Sequence, residues 1–203
     1  MTLKIYGMSA SRTSRNLWMA EELGIAYEHI PVKIADAASD PDIARLNPNL
    51  RIPVIEDDGV VITESMAINL YLAAKHGGPL AAGNAAEAGL MAQWSFWAVT
   101  DLEALSLTVL LHRLVLRGEA RDAARAEAAE ASLARPLAVL DKALARGDGW
   151  LVGGRFTVAD LNVSAIVHWL AAARMDLSGV PNVADWVKRC RDRDAAKTAQ
   201  KLP

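Results

Sequence analysis

Near residue 80 the chain changes character, and that change limits its possible folds more than any other feature. Before it, short β-branched runs alternate with helical patterns. After it no good strand pattern occurs, and apolar residues recur at helical spacing. Such segregation indicates two packed units, an α/β unit followed by an all-helical one.

In the first stretch Leu3-Lys4-Ile5-Tyr6 reads as a strand and Arg12 to Leu23 as a helix stopped by Gly24. Tyr27 to Ile34 reads as a second strand. A crossover through a helix makes the two strands parallel. Pro31 lacks a ladder donor, which places the second strand at a sheet edge. Asp40 to Leu46 is a short helix with Pro41 in its first turn. Ile52 to Glu56 and Val60 to Thr63 flank the turn Asp57-Asp58-Gly59, a hairpin signal. Glu64 to His76 is helical again, up to Gly77-Gly78-Pro79. The order β-α-β-α-β-β-α, with a proline beside the third strand, is the thioredoxin-like arrangement.

In the second stretch the spacing predicts one long helix over Ala85 to Arg117, another over Glu119 to Arg146 kinked at Pro136, a third over Thr157 to Ala173 and a fourth from Pro181 to Cys190. The expected domain limits are 1–79 and 84–203.

Composition narrows the functions. The 203 residues are 52% hydrophobic and 23% charged, which is globular rather than disordered composition. Against 24 Asp+Glu stand 22 Lys+Arg, so no basic excess points to a nucleic-acid partner. The single cysteine, Cys190, excludes an internal disulfide and a Cys-rich zinc site, and fits a reducing compartment. The most apolar stretch, Leu102 to Leu116, is interrupted by Glu103, His112 and Arg113, short of the roughly 18 apolar residues a membrane helix needs. The N-terminus has no signal-peptide pattern, so a cytoplasmic location without a membrane partner is expected. His112 and His168 have no partner at ligand spacing, and no metal is expected.

A thioredoxin carries Cys-x-x-Cys where its first helix begins. Here that place reads Ser11-Arg12-Thr13-Ser14. A hydroxyl cannot exchange disulfides, so the site must borrow a thiol from a bound small molecule or do no thiol chemistry. Ser11 falls between a strand end and a helix N-terminus, where N–H groups point at an anion. Simple capping is the competing reading, since Ser prefers that position anyway. Ser9, Ser14 and Tyr6 are rival hydroxyls. Glu64-Ser65 opens another helix and has the same two readings. Thr157 and Asp160 form a capping-box-like pair, read as structural.

Four pieces together carry a resemblance: Ser11-Arg12-Thr13-Ser14-Arg15, Asn47-Pro48 with Arg51-Ile52-Pro53-Val54, Thr63-Glu64-Ser65-Met66-Ala67-Ile68, and Gly154-Arg155-Phe156-Thr157-Val158-Ala159-Asp160. In this order and spacing they resemble the glutathione S-transferase family, in its serine-type, theta-like bacterial form, over nearly the whole chain. The resemblance implies an α/β thioredoxin-like glutathione domain, an all-α C-terminal domain and a cytoplasmic homodimer used in detoxification, with Met66 near the dimer contact. It implies that Ser11 stabilises the glutathione thiolate, which requires roughly 2 pKa units below the free value of about 8.5. It implies a cis Ile52–Pro53 bond, with Ile52 pairing to the peptide like an added strand. Arg51 would hold the glycine carboxylate, and Glu64 and Ser65 the γ-glutamyl group. Met8, Ala10, Trp97 and Thr100 become candidate walls of the acceptor site, although the Trp94, Trp97, Thr100 stripe equally suits a core. The family often has Gly where this chain has Leu50, so the loop backbone is expected to differ there. The implied reaction is attack of the thiolate on a small apolar electrophile. Disulfide reduction by the same thiolate and a non-catalytic protein-binding module on the same fold are the alternatives.

Overall fold

The computed structural model describes residues 2–203. Strands β1 (Leu3–Tyr6), β2 (Tyr27–Ile30), β3 (Val54–Asp57) and β4 (Val60–Thr63) form one mixed sheet in the order β2-β1-β3-β4. β1 and β2 are parallel, as the crossover through α1 (Ser14–Leu23) requires, and β3 is antiparallel to both β1 and β4. β2 lies at an edge as expected, but it ends at Ile30. Pro31 therefore follows the strand instead of sitting inside it, because a residue without an N–H cannot extend the ladder.

Tyr6 pairs with Val54 and Ile5 with Ile55. Alternation sends the two pairs to opposite faces. Tyr6 and Val54 pack with Ile43 and Leu46 of α2 (Pro41–Leu46), while Ile5 and Ile55 are fully buried on the other face. α3 (Ser65–His76) packs against α1, β3 and β4. α1 starts two residues after the expected Arg12, because residues 8–14 form turns in which Ser11 N–H donates to Met8 O and Ser14 N–H to Ser11 O. Its end is as expected: Gly24 takes the left-handed conformation, at φ 60.

The chain divides into two units, Met1–Ala82 with Asp192–Pro203, and Gly83–Arg191. The second unit contains α4 (Ala85–Trp97), α5 (Ala104–Leu110), α6 (Ala123–Arg146), α7 (Val158–Ala172) and α8 (Pro181–Arg191). α7 is apolar nearly all round and packs against α4, α5 and α8, which makes it the unit's axis. The expected continuous helix Ala85–Arg117 is instead broken by π-helical turns at Ala98–Glu103 and Leu111–Val115. Hydroxyls bond back to helix carbonyls next to these turns: Thr100 Oγ1 donates to Phe96 O in α4, and Thr108 Oγ1 to Ala104 O in α5. α6 begins later than expected, at Ala123, where the Asp122 side chain accepts from Arg125 N–H. It continues through Pro136.

The expected second domain of 84–203 is too long. Residues 192–203 join the first unit, where α9 (Asp194–Ala199) packs on α1. Two side chains hold this return. The Arg193 guanidinium gives Nε and Nη2 to the Glu22 carboxylate at 2.6 and 2.7 Å. Ser9 donates its N–H to Pro203 O at 2.9 Å and its hydroxyl to Leu202 O at 2.5 Å.

Candidate functional site

The N-terminal end of α1 gathers most of the residues singled out in the first unit. Ser11, half-buried, lies in the β1–α1 loop. Its Oγ is 2.7 Å from Met8 O, 2.9 Å from Thr13 Oγ1, and accepts from Thr13 N–H at 3.1 Å. It tightens the turn before the helix; the helix N-cap itself is Thr13, whose side chain makes no cap bond. Ser11 thus caps the turn that leads into α1 and not the first turn of the helix itself.

Thr13 is fully buried against Gly7. A Cβ on Gly7 would come 2.1 Å from Thr13 Oγ1 and 3.1 Å from Ile52 Cβ, and Gly7 has φ +128. Glycine is needed here because three segments close on one point: the end of β1, the start of α1 and the residue before Pro53. The Ile52–Pro53 bond is cis, as expected. Arg51 is exposed, and its carbonyl accepts from Asn47 Nδ2 at 2.7 Å. Leu50 has φ 54 and is 39% exposed, so this loop takes a glycine-like turn with a leucine in it.

Ser65 joins from α3. It is buried, and its Oγ accepts from Arg15 Nη1 at 3.0 Å, while its carbonyl accepts from Asn16 Nδ2 at 2.9 Å. Asn16 Nδ2 also donates to Asn69 Oδ1 at 2.7 Å. α1 and α3 are thus locked start to start. Glu64, exposed, precedes Ser65 with φ 69 and ψ 111 and makes no side-chain cap bond. A non-glycine residue there is strained by about 1–3 kcal/mol, which the buried Arg15–Ser65 and Asn16–Ser65 bonds offset.

Thr13 and Arg15 stand in the Ser11–Arg15 motif without an assigned role, and Asn16 was not singled out in the sequence. Arg15 left one signal: a cation in the first turn of a helix opposes the dipole and needs a reason. That reason is its burial beneath Ser65.

Of the rival hydroxyls, Tyr6 is packed in the cluster with Val32, Ile43 and Leu46, where burial pushes its phenol upward. The Ser9 hydroxyl is engaged by Leu202 O. Ser14 is the first residue of α1 and is half-buried. Met8 is half-buried and Ala10 exposed, both in the Ser11 loop. Trp97 and Thr100 belong to the second unit. Trp97 ends α4 in an edge-to-face contact with Trp94, and the exposed Thr100 turns its hydroxyl onto Phe96 O and Trp97 O. Met66, expected near a subunit contact, is 5% exposed and belongs to its own unit's core.

The second helix start read from the sequence is different. Asp160 is fully buried and accepts from Thr157 N–H, Thr157 Oγ, Leu151 N–H and Trp186 Nε1, all at 2.9–3.0 Å. Burial pushes its carboxyl up, and these four donors oppose that. It ties the start of α7 to α8 and to the preceding loop, a structural role as expected. Among the described residues no group of three or more His, Cys, Asp or Glu side chains is placed to hold a metal ion.

Two family models match the chain: glutathione S-transferase, N-terminal domain, over residues 1–74, and glutathione S-transferase, C-terminal domain, over residues 102–194. Glutathione S-transferase 3 of Zea mays is 33% identical over 99% of this chain and 95% of its own length. Among solved structures, a theta class glutathione S-transferase from the citrus canker pathogen Xanthomonas axonopodis pv. citri, with glutathione bound, superposes with a TM-score of 0.86. It is 28% identical, over 100% of this chain and 98% of that one. A glutathione S-transferase-I bound with lactoylglutathione gives 0.87 at 26% identity, over 98% of this chain and 99% of that one.

Proposed function

The chain belongs to the glutathione S-transferase family, and on that premise we propose that its first unit binds glutathione at the N-terminal end of α1 and that Ser11 donates to the bound thiolate. The convergence of Ser11, Ile52–Pro53 and Ser65 on one helix end carries the reading. The Ile52 main chain takes the peptide backbone. Ser65 Oγ, already accepting from Arg15, offers its own hydrogen to the γ-glutamyl carboxylate, which the buried guanidinium attracts. Glu64 takes the γ-glutamyl ammonium and Arg51 the glycine carboxylate.

To reach the sulfur, the Ser11 hydrogen leaves Met8 O. That carbonyl keeps the Ser11 N–H at 3.1 Å, so the swing strands no polar group. A charge-assisted hydrogen bond contributes about 1.5–3 kcal/mol, or roughly 1–2 units of thiol pKa. The sulfur lone pair then forms the bond to a small apolar electrophile, and the leaving group departs with the electrons of the bond that breaks. The enzyme forms no covalent intermediate. Met8 and Ala10, in the Ser11 loop, are the first unit's candidates for a wall against the acceptor.

Calorimetry with reduced glutathione should show saturable binding, and none at millimolar concentration overturns the reading. The thiolate absorbs in the ultraviolet, so the bound thiol can be titrated directly. Ser11→Ala should raise its pKa by about 1–2 units. If it does not, while Ser9→Ala, Ser14→Ala or Tyr6→Phe does, the role belongs to that neighbour.

The functional particle we propose is a homodimer. Phe96 is 64% exposed, and Leu90 and Val99 on the same stretch are exposed too, an apolar surface that a second copy would cover. Light scattering at micromolar concentration should give twice 21.8 kDa, and a monomer refutes this.

A further inference from the structure

We propose that Thr13 is a positioning residue for the thiolate-stabilising step: its buried hydroxyl donates to Ser11 Oγ, holding that oxygen and leaving only the Ser11 hydrogen to face the sulfur. This rests on the assignment of Ser11 above.

The two hydroxyls have one hydrogen each to place. Ser11 has one, and Met8 O lies 2.7 Å away to accept it. Thr13 has one, and Thr13 is fully buried. A buried hydroxyl hydrogen needs an acceptor, and Ser11 Oγ at 2.9 Å is the only one among the described residues. The hydrogen between the two hydroxyls therefore comes from Thr13. Ser11 Oγ also accepts the Thr13 N–H at 3.1 Å, so both of its lone pairs are filled by one residue.

Two consequences follow for an approaching anion. It meets the Ser11 O–H and no repelling lone pair. The two accepted bonds also polarise that O–H and make it a stronger donor. Gly7 is part of the same device, because only a residue without a side chain leaves room for Thr13 Oγ1, which a Cβ would approach to 2.1 Å. Packing alone would ask for the shape of Thr13 and not for its hydroxyl.

That distinction sets the experiment, run on the full chain with reduced glutathione and the ultraviolet titration of the bound thiol. Thr13→Val keeps the shape and loses the donor, and should raise the bound thiol pKa by about 0.5 unit. Turnover near neutral pH should fall about threefold, with little change in the KM for glutathione. Thr13→Ser restores the donor and should titrate like the parent. Thr13→Ala adds no bulk and should repeat the valine shift even where valine packs badly. Because Thr13 acts through Ser11, the Ser11→Ala/Thr13→Val double variant should titrate like Ser11→Ala alone. A parental titration in both Thr13→Val and Thr13→Ala overturns the proposal. So does a serine variant shifted as far as valine, or an additive double variant. If Ser11→Ala itself leaves the titration unmoved, the Ser11 assignment fails and takes this role with it. If Ser11→Ala shifts it and the two Thr13 variants do not, only the role of Thr13 is lost.

Discussion

Ser11 before α1 and Asp160 in the first turn of α7 occupy similar places: a small polar residue at a helix start, with a partner two or three positions away. Asp160 is closed. Four donors surround a carboxylate with no exposed surface. Ser11 is half-exposed, and its hydroxyl hydrogen rests on a carbonyl that already has another donor. The first arrangement holds helices together, and nothing can be added to it. The second can exchange one partner for another at little cost. Residue type does not separate the two; the hydrogen-bonding capacity left over does.

The largest loss is expected at Asp160. Asp160→Ala orphans four donors, and at roughly 1 kcal/mol for each it should cost about 3–4 kcal/mol in a denaturant melt. A loss under about 1 kcal/mol would mean that the helix start is not closed by this carboxylate. A second bonded carboxylate at a helix start, half-buried rather than closed, is Glu87 in the first turn of α4. It accepts from Gly83 N–H at 2.8 Å and from Arg155 Nη2 at 2.7 Å, and these bonds hold it down at about 2 instead of 4.5. A depressed carboxyl pKa stabilises the fold above about 4.5, and the contribution is lost as pH falls toward about 2. Glu87→Gln should flatten the acid limb of a Tm-against-pH curve across that window, and an unchanged limb removes this pair from the account. At the open site the effect on folding is smallest. Ser11→Ala should lower stability by less than about 1 kcal/mol, since it loses a turn bond and no buried charge. A melt shifted as far as that of Asp160→Ala would erase the distinction between the two helix starts.

The sheet was legible because its strands carry their own signals. β1 is a short apolar run, Asp58-Gly59 marks the β3–β4 turn, and Pro31 marks an edge. Ser11, Ile52, Pro53 and Ser65 were legible because motif order reports backbone placement. Arg15 and Asn16 were not, because their partners are Ser65 and Asn69, and no local pattern encodes a contact some 50 residues away; Thr13 was not, because its burial against Gly7 depends on how three segments close together. The π-helical turns were missed for another reason. Periodicity places apolar faces, and it does not register a threonine hydroxyl taking a helix carbonyl. The same holds for residues 192–203: their helical pattern says that α9 exists and nothing about which unit it joins.

That joining orders events during synthesis. The β1–α1 loop is made before the helical unit, while its partners Leu202 and Pro203, and the Arg193 that ties α9 to Glu22 of α1, are made after every residue of that unit. A nascent chain therefore carries a sheet whose β1–α1 loop still lacks its last anchors until translation has passed the second unit. Vectorial growth keeps the Ser11 loop from gaining its last anchors before the helical unit has been made.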